Sequence, residues 1–316
     1  MIRLLYPPPP WSWAARRELW RYHGVARLAG LSDLVIHAGL ARLPTDWVSA
    51  IGVRLGQRAG RARPDLTARA EATLRLFRPD DDAAAIAAGV ARHWGNVGRA
   101  FAEYARLPHL QPERRFTVAG AEPLQALVAA RQPVIVVAPH LGLWDVVAGA
   151  MRLLGIPFDS FFQRLPSRFR MRLAVRQRMR AIAPDGVTES QLLPPTPAGA
   201  LRAQRNLRQG ARPLLIYVDE WVDDRVHAPS LGRPLRMVGN IARAARLSAM
   251  TGASIVPACC LRQPDSARFT VRFAPPLAVA GLAVEGRVAA IDAAIAAMVR
   301  IDPEQWLMLH GFRADR

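Results

Sequence analysis

Apolar positions follow two different rhythms along the chain. Up to about residue 107 they recur at helical spacing. The stretch 28–43 is a short apolar helix interrupted by Gly30 and Gly39, and 47–59 follows Thr45-Asp46, an N-cap signal. Pro64-Asp65 opens the next helix, which ends near Phe77-Arg78-Pro79. Asp80 to Asp82 then cap a long helix reaching Arg106, in which His93 and Glu103 read as ordinary positions.

From Phe116 the rhythm changes. Short β-branched runs alternate with helical patterns, which predicts an α/β core. Strands are expected at 116–118, 134–137, 159–163, 213–218, 254–261 and 267–273. Helices are expected at 122–131, from Asp145 to Gly155, at 167–180 and 196–208, after Gly239-Asn240 as far as 250–252, and at 284–300 and 303–310, with a Pro-rich turn region at 184–197. The organisation that follows is a Pro/Trp-rich arm at 1–14, a helical subdomain at 15–110 and an α/β core at 111–316.

Composition adds a charge constraint. The formal net charge is +18, and all 43 basic residues are Arg. Arg forks pair bidentately with phosphate and carboxylate, so an anionic partner is implied: nucleic acid, an anionic membrane surface or an acidic carrier protein. No zinc spacing, helix-turn-helix signal or aromatic RNA-binding signature supports nucleic acid. Arg168, Arg172, Arg176 and Arg180 fall on one helical line, which fits a docking surface for lipid headgroups or for an acidic carrier. The arm reads as packed on the domain or, with Tyr6, Trp11, Trp13 and Trp20, as set at a bilayer interface. The first residues carry no signal-peptide pattern, and no apolar run reaches 18 residues, so no spanning helix is expected. Adjacent Cys259 and Cys260 cannot staple distant elements, which fits a reducing compartment. Asp223, Asp224 and His227 read as a solvated loop, and no metal site is expected.

The candidate chemistry lies in IVVAPHLGLWDVV, residues 135–147: strand, turn, helix, with His140 in the turn and Asp145 five residues on. On one continuous helix five residues rotate by roughly 500°, separating the two side chains. With His140 in a turn and Asp145 in the first helical turn, the carboxylate can fold back to hold one ring nitrogen and leave the other to take a proton. The turn contains no nucleophile, which suits direct attack by a substrate hydroxyl. His140, Arg164 and Asp219 each end an apolar strand pattern, so they are expected at one sheet edge, where α/β folds bind ligands.

His140-Leu-Gly-Leu-Trp-Asp145 resembles the His-x4-Asp/Glu motif of the glycerolipid acyltransferase superfamily, and within it the late, lauroyl/myristoyl-type lipid A acyltransferases. TLRLFRP at 73–79, FFQRL with Arg164, the stretch from Tyr217-Val-Asp219 through LGRP to TGASIVP, and PEQWLMLHGF at 303–312 are similar to family segments in the same order. Glu220 stands where the family commonly has Gln, and the arm differs from the hydrophobic anchor usual in those enzymes.

The resemblance implies a three-layer αβα sandwich of the glycerolipid acyltransferase type. It implies transfer of a fatty acyl chain from acyl carrier protein or coenzyme A to a hydroxyl of a lipid A-like or other lipid acceptor. His140 and Asp145 would be catalytic, and Arg164, Asp219, Gly232 and Arg233 substrate-binding. No cofactor is implied, because the thioester brings its own activation. The expected place is peripheral, on the cytoplasmic side of the inner membrane. An acceptor of another kind, such as an aminolipid or a polyketide-type product, stays open, as does a non-catalytic binding protein.

Overall fold

Strands of unbroken apolar residues need cover on both faces, and that requirement shapes the fold. The computed structural model describes residues 13–20, 26–161, 168–183, 191–194, 196–210 and 212–314. Four helices, α1 (Trp13–Trp20), α2 (Ala26–Leu40), α3 (Thr45–Arg61) and α4 (Pro64–Phe77), lead to the long α5 (Ala83–Glu103). Asp82 caps α5 by accepting from Ala85 N–H at 2.7 Å. The expected cap at Thr45-Asp46 is replaced by Pro44, and the Thr45 hydroxyl donates to Glu113 instead. The helices α3 and α5 meet through glycines: a Cβ on Gly98 would lie 2.0 Å from the Gly52 carbonyl oxygen.

The core contains β1 (Phe116–Ala119), α6 (Glu122–Ala129), β2 (Val134–Ala138), α7 (Val146–Leu153), β3 (Asp159–Phe161), α8 (Arg168–Ile182), β4 (Gln191–Leu193), α9 (Pro197–Arg208) and β5 (Leu214–Tyr217). It continues with β6 (Trp221–Val222), β7 (Arg225–Val226), α10 (Gly239–Thr251), β8 (Ser254–Arg262), β9 (Phe269–Phe273) and α11 (Val284–Ile301). Among the described residues seven strands form one sheet in the order β1-β9-β8-β2-β5-β3-β4, parallel except for the β8–β9 pair. This is the expected α/β architecture.

Alternation along the central strands builds two cores. Ile135 and Val137 of β2 join Ile255 of β8 and Leu214 of β5 beneath α10 and α11. Val134 and Val136 join Val256 and Leu215 on the other face, beneath α6 and α7. Helix, sheet and helix thus form three layers. Leu74, Ile86 and Trp94 of α4 and α5 belong to the first of these cores.

Three segments differ from the sequence reading. Strand β4 lies inside the stretch read as a turn, paired parallel with β3 at the sheet edge. The residues Trp221–Val222 and Arg225–Val226 form a small hairpin. The expected last helix is two 3₁₀ turns, Pro303–Gln305 and Leu307–His310, separated by an extended Trp306. That break lets Leu141 pair with Trp306 as an isolated β-bridge, which brings the chain's end against the His140 turn.

Candidate active site

Strand β2 stops before Pro139, and the chain reverses around Gly142 at φ +60°. A Cβ there would sit 2.5 Å from the Cys260 carbonyl oxygen, so close backbone approach and left-handed geometry both demand glycine. Gly142 N–H donates to the Gln305 carbonyl at 3.1 Å, and Leu307 N–H donates to the His140 carbonyl at 2.9 Å. The Gln305 side chain accepts from Arg262 N–H and donates to the Arg262 carbonyl. The turn carrying His140 is therefore held between β8 and the C-terminal segment.

Asp219 follows β5, next to β2 in the sheet, and is wholly buried. His140 Nδ1 meets Asp219 Oδ1 at 2.6 Å, and His140 backbone N–H donates to Asp219 Oδ2 at 2.7 Å. Trp306 Nε1–H donates to the same Oδ2 at 2.8 Å. A buried carboxylate accepts only, so His140 carries its proton on Nδ1 and leaves Nε2 as the acceptor nitrogen. The ring keeps 20% of its side-chain exposure and lies between Trp144 and Tyr217, at centroid distances of 5.1 and 4.8 Å.

The expected partner of His140 was Asp145, and here the structure corrects the sequence reading. Asp145 has helical backbone angles at the start of α7, and its carboxylate binds Arg178 of α8, with Nε at 2.9 Å and Nη2 at 3.1 Å. The adjacent strand end places Asp219 against the ring instead. Asp219, expected to bind substrate, instead holds the His140 ring and backbone N–H. Burial works against the Arg178 charge, but Asp145, Tyr104 and Tyr217 together outweigh burial and the guanidinium pKa rises. Burial pushes the Tyr217 phenol up as well, with the Asp145 charge adding to it, and Tyr217 donates to the Trp144 carbonyl at 2.8 Å.

His140, Asp145, Arg178, Tyr217 and Glu220 share a cavity of about 280 Å³. Phe101, Phe158, Leu192 and Leu215 give it apolar walls. A mainly apolar cleft with a few converging polar groups is the usual form of a small-molecule site. Glu220 accepts from Asn240 N–H at 2.8 Å, and burial raises its carboxyl pKa.

Arg164 lies outside the described residues. Gly232 and Arg233 stand apart from the cavity lining. Arg233, expected to bind an anion, donates to the backbone carbonyls of Ser230, Arg313, Val226 and Pro229 and lies 3.9 Å over the Phe312 ring. Its guanidinium is committed to folding this loop. Asp224 pairs with Arg69 and Arg313.

Sequence reasoning passed over Arg178 and Trp306. Arg178 is offset by two residues from the line of Arg176 and Arg180, which turns it to the opposite side of α8. That offset was a readable signal. Trp306 offered none beyond its place in PEQW, because its contact spans 87 residues.

A family model described as bacterial lipid A biosynthesis acyltransferase matches residues 33–312. No curated protein matches the chain.

Proposed function

This chain belongs to the bacterial lipid A biosynthesis acyltransferase family, an assignment that supports acyl transfer to a lipid acceptor, and from that premise we propose a mechanism and a set of partners. The acyl donor is a thioester of acyl carrier protein or coenzyme A. His140 Nε2 takes the proton of an acceptor hydroxyl as the oxygen attacks the thioester carbonyl. The C–S bond then breaks, and the imidazolium returns the proton to the leaving thiolate. Asp219 holds the tautomer and stabilises the imidazolium throughout. Arg178, fixed by Asp145 through Nε and Nη2, offers its Nη1–H groups to oxygens of the bound substrates. Arg164 is retained as an anion-binding residue on the resemblance alone.

One observation carries this reading: an imidazole held through Nδ1 by a buried carboxylate while it lines an apolar cavity. A covalent route gains no support, because burial pushes the free thiols of Cys259 and Cys260 up, to about 11 and about 12.

The membrane-facing side is assigned to α2 and α8. Arg172, Arg176 and Arg180 are exposed on α8, and Leu34, Val35 and Ile36 are exposed on α2, which packs against it. No helix among the described residues is long and apolar enough to cross a membrane. Peripheral attachment to the cytoplasmic face of the inner membrane fits these features. The decisive assay is transfer of labelled acyl groups from acyl carrier protein or coenzyme A to extracted lipids, with mass spectrometry of lipids from a deletion strain to name the acceptor. His140→Ala is expected to lose activity by about 10²–10⁴-fold, the usual contribution of a general base. Undiminished transfer by that variant would overturn the reading.

A further inference from the structure

The C-terminal segment does more than cover the His140 turn. Asp219 has two oxygens and receives three donors: the ring Nδ1–H and backbone N–H of His140, and the indole N–H of Trp306. Two of these come from the base itself. The third comes from a residue 166 positions away in sequence, with an indole that is fully buried and packed edge-on to Phe77. Gln305 and Leu307, on either side, bind the same turn through Gly142 and His140. The indole thus has one polar atom, and that atom meets the carboxylate that orients the base.

We propose that Trp306 is a positioning residue, and that its indole N–H, by sharing the charge of Asp219, sets the pH range over which His140 can accept a proton. The proposal rests on the reading of His140 as the base. Each donor to Asp219 lowers the negative charge felt at Nδ1. With the indole donor absent, Asp219 stabilises the imidazolium more strongly and His140 holds its proton to higher pH. Other charged or titratable groups around the ring are Glu220 beyond β5, Tyr217 on β5, and the Asp145–Arg178 pair from α7 and α8, with Arg243 of α10 behind Asn240. None bonds the Trp306 indole, and all are unchanged by a substitution there.

The test is the pH dependence of kcat/KM for acyl transfer, together with the ¹⁵N-detected titration of the His140 ring, which needs no turnover. In Trp306→Phe the acid limb and the ring titration should both move upward by about 0.5–1 pH unit, a fraction of the full worth of one hydrogen bond to a charged group because the effect reaches the ring through the carboxylate. Phe77→Leu loosens the same packing without touching the N–H, and its titration should match wild type. If Trp306→Phe does not fold, benzothienylalanine at 306 keeps the indole shape and lacks the donor. A folded donor-less protein whose His140 titrates as in wild type overturns the proposal. Retained transfer in His140→Ala would instead overturn the base assignment, whatever the titration shows.

Discussion

Asp219, behind the His140 ring, and Asp145, in the cavity wall, are held in opposite ways. Asp219 is locked on all sides: it is fully buried, receives three donors, and sits between two adjacent strand ends and the C-terminal segment. Asp145 is held by a bidentate Arg178, with the Tyr104 hydroxyl beside it, and the Arg178 side chain keeps 24% of its exposure on a helix that also carries the exposed Arg line. The first arrangement fixes a proton acceptor within a rigid sheet edge. The second fixes a cation on a wall that faces both the cavity and the proposed membrane surface. In the proposed mechanism chemistry sits on the sheet side and substrate contact on the α8 side, a division expected where a base must be preorganised and an incoming lipid must be accommodated.

Breaking the rigid side gives the largest expected effect. Asp219→Asn keeps the size of the side chain but offers an amide N–H where an acceptor is needed, which favours the wrong His140 tautomer. In the serine-protease triad the equivalent change costs about 10⁴-fold, and a loss of about 10³-fold or more is expected here in kcat. Asp145→Asn should cost less activity, about 10–100-fold. It leaves the Arg178 charge partly unpaired, so stability should fall by about 3 kcal/mol in urea melts. The two variants separate in their pH profiles: loss of Asp219 distorts the acid limb, while loss of Asp145 leaves it in place. Equal losses with equal profile changes would mean that Asp145 acts on His140 after all.

This difference also marks what the sequence could reveal. The layers were legible because β2, β5 and β8 are short runs of buried apolar residues, and such runs have few alternatives to a covered sheet. His140 was legible because strand, proline, turn and helix follow in thirteen residues. Its partner was not, because His-x4-Asp is a local pattern whereas the Asp219 contact spans 79 residues and depends on strand order. Periodicity alone makes Glu103 and His93 ordinary helix positions, yet both are fully buried. Glu103 pairs with Arg262 at 2.7 Å through both oxygens, and His93 Nε2 meets His310 Nδ1 at 2.9 Å. Periodicity reports which face of a helix is buried, but not which distant polar group waits there.

The His93–His310 pair gives the next effect, on stability. His93 Nδ1–H donates to the Glu304 carbonyl, so its Nε2 must accept from His310, and the pair is neutral. Burial pushes His93 down to about 3 and His310 down to about 4. Between about pH 6.5 and 4 the unfolded chain binds more protons at these sites than the folded one. Stability from the pair is thus complete above pH 6.5 and declines as pH falls. Glu220, Asp292 and Asp302, whose carboxyls burial raises, work the opposite way over part of that window. His310→Gln keeps a donor for His93 and removes one titrating group. It should flatten the acid slope of the urea midpoint, by on the order of 2 kcal/mol over that range. An unchanged slope would mean that the ring accepts a proton in the folded state.

The smallest effect belongs to the α8 wall and tests whether its outer face is separate from its inner one. Arg176 lies on the exposed line, and its charge, after burial, helps lower the pKa of His37 on α2. Arg178, two residues on, points to Asp145 and the cavity. A basic residue near an anionic membrane surface contributes about 1 kcal/mol, which corresponds to about fivefold in affinity. Arg176→Gln should therefore weaken binding to phosphatidylglycerol-containing vesicles about fivefold. The loss should shrink as salt rises, and turnover on detergent-dispersed substrates should stay unchanged. Arg178→Gln should do the reverse, sparing vesicle affinity and impairing turnover. If the triple change of Arg172, Arg176 and Arg180 to Gln left vesicle binding intact, the outer line would be only a solvated face. The membrane would then have to be met elsewhere, and the exposed Leu34, Val35 and Ile36 on α2 would be the next residues to change.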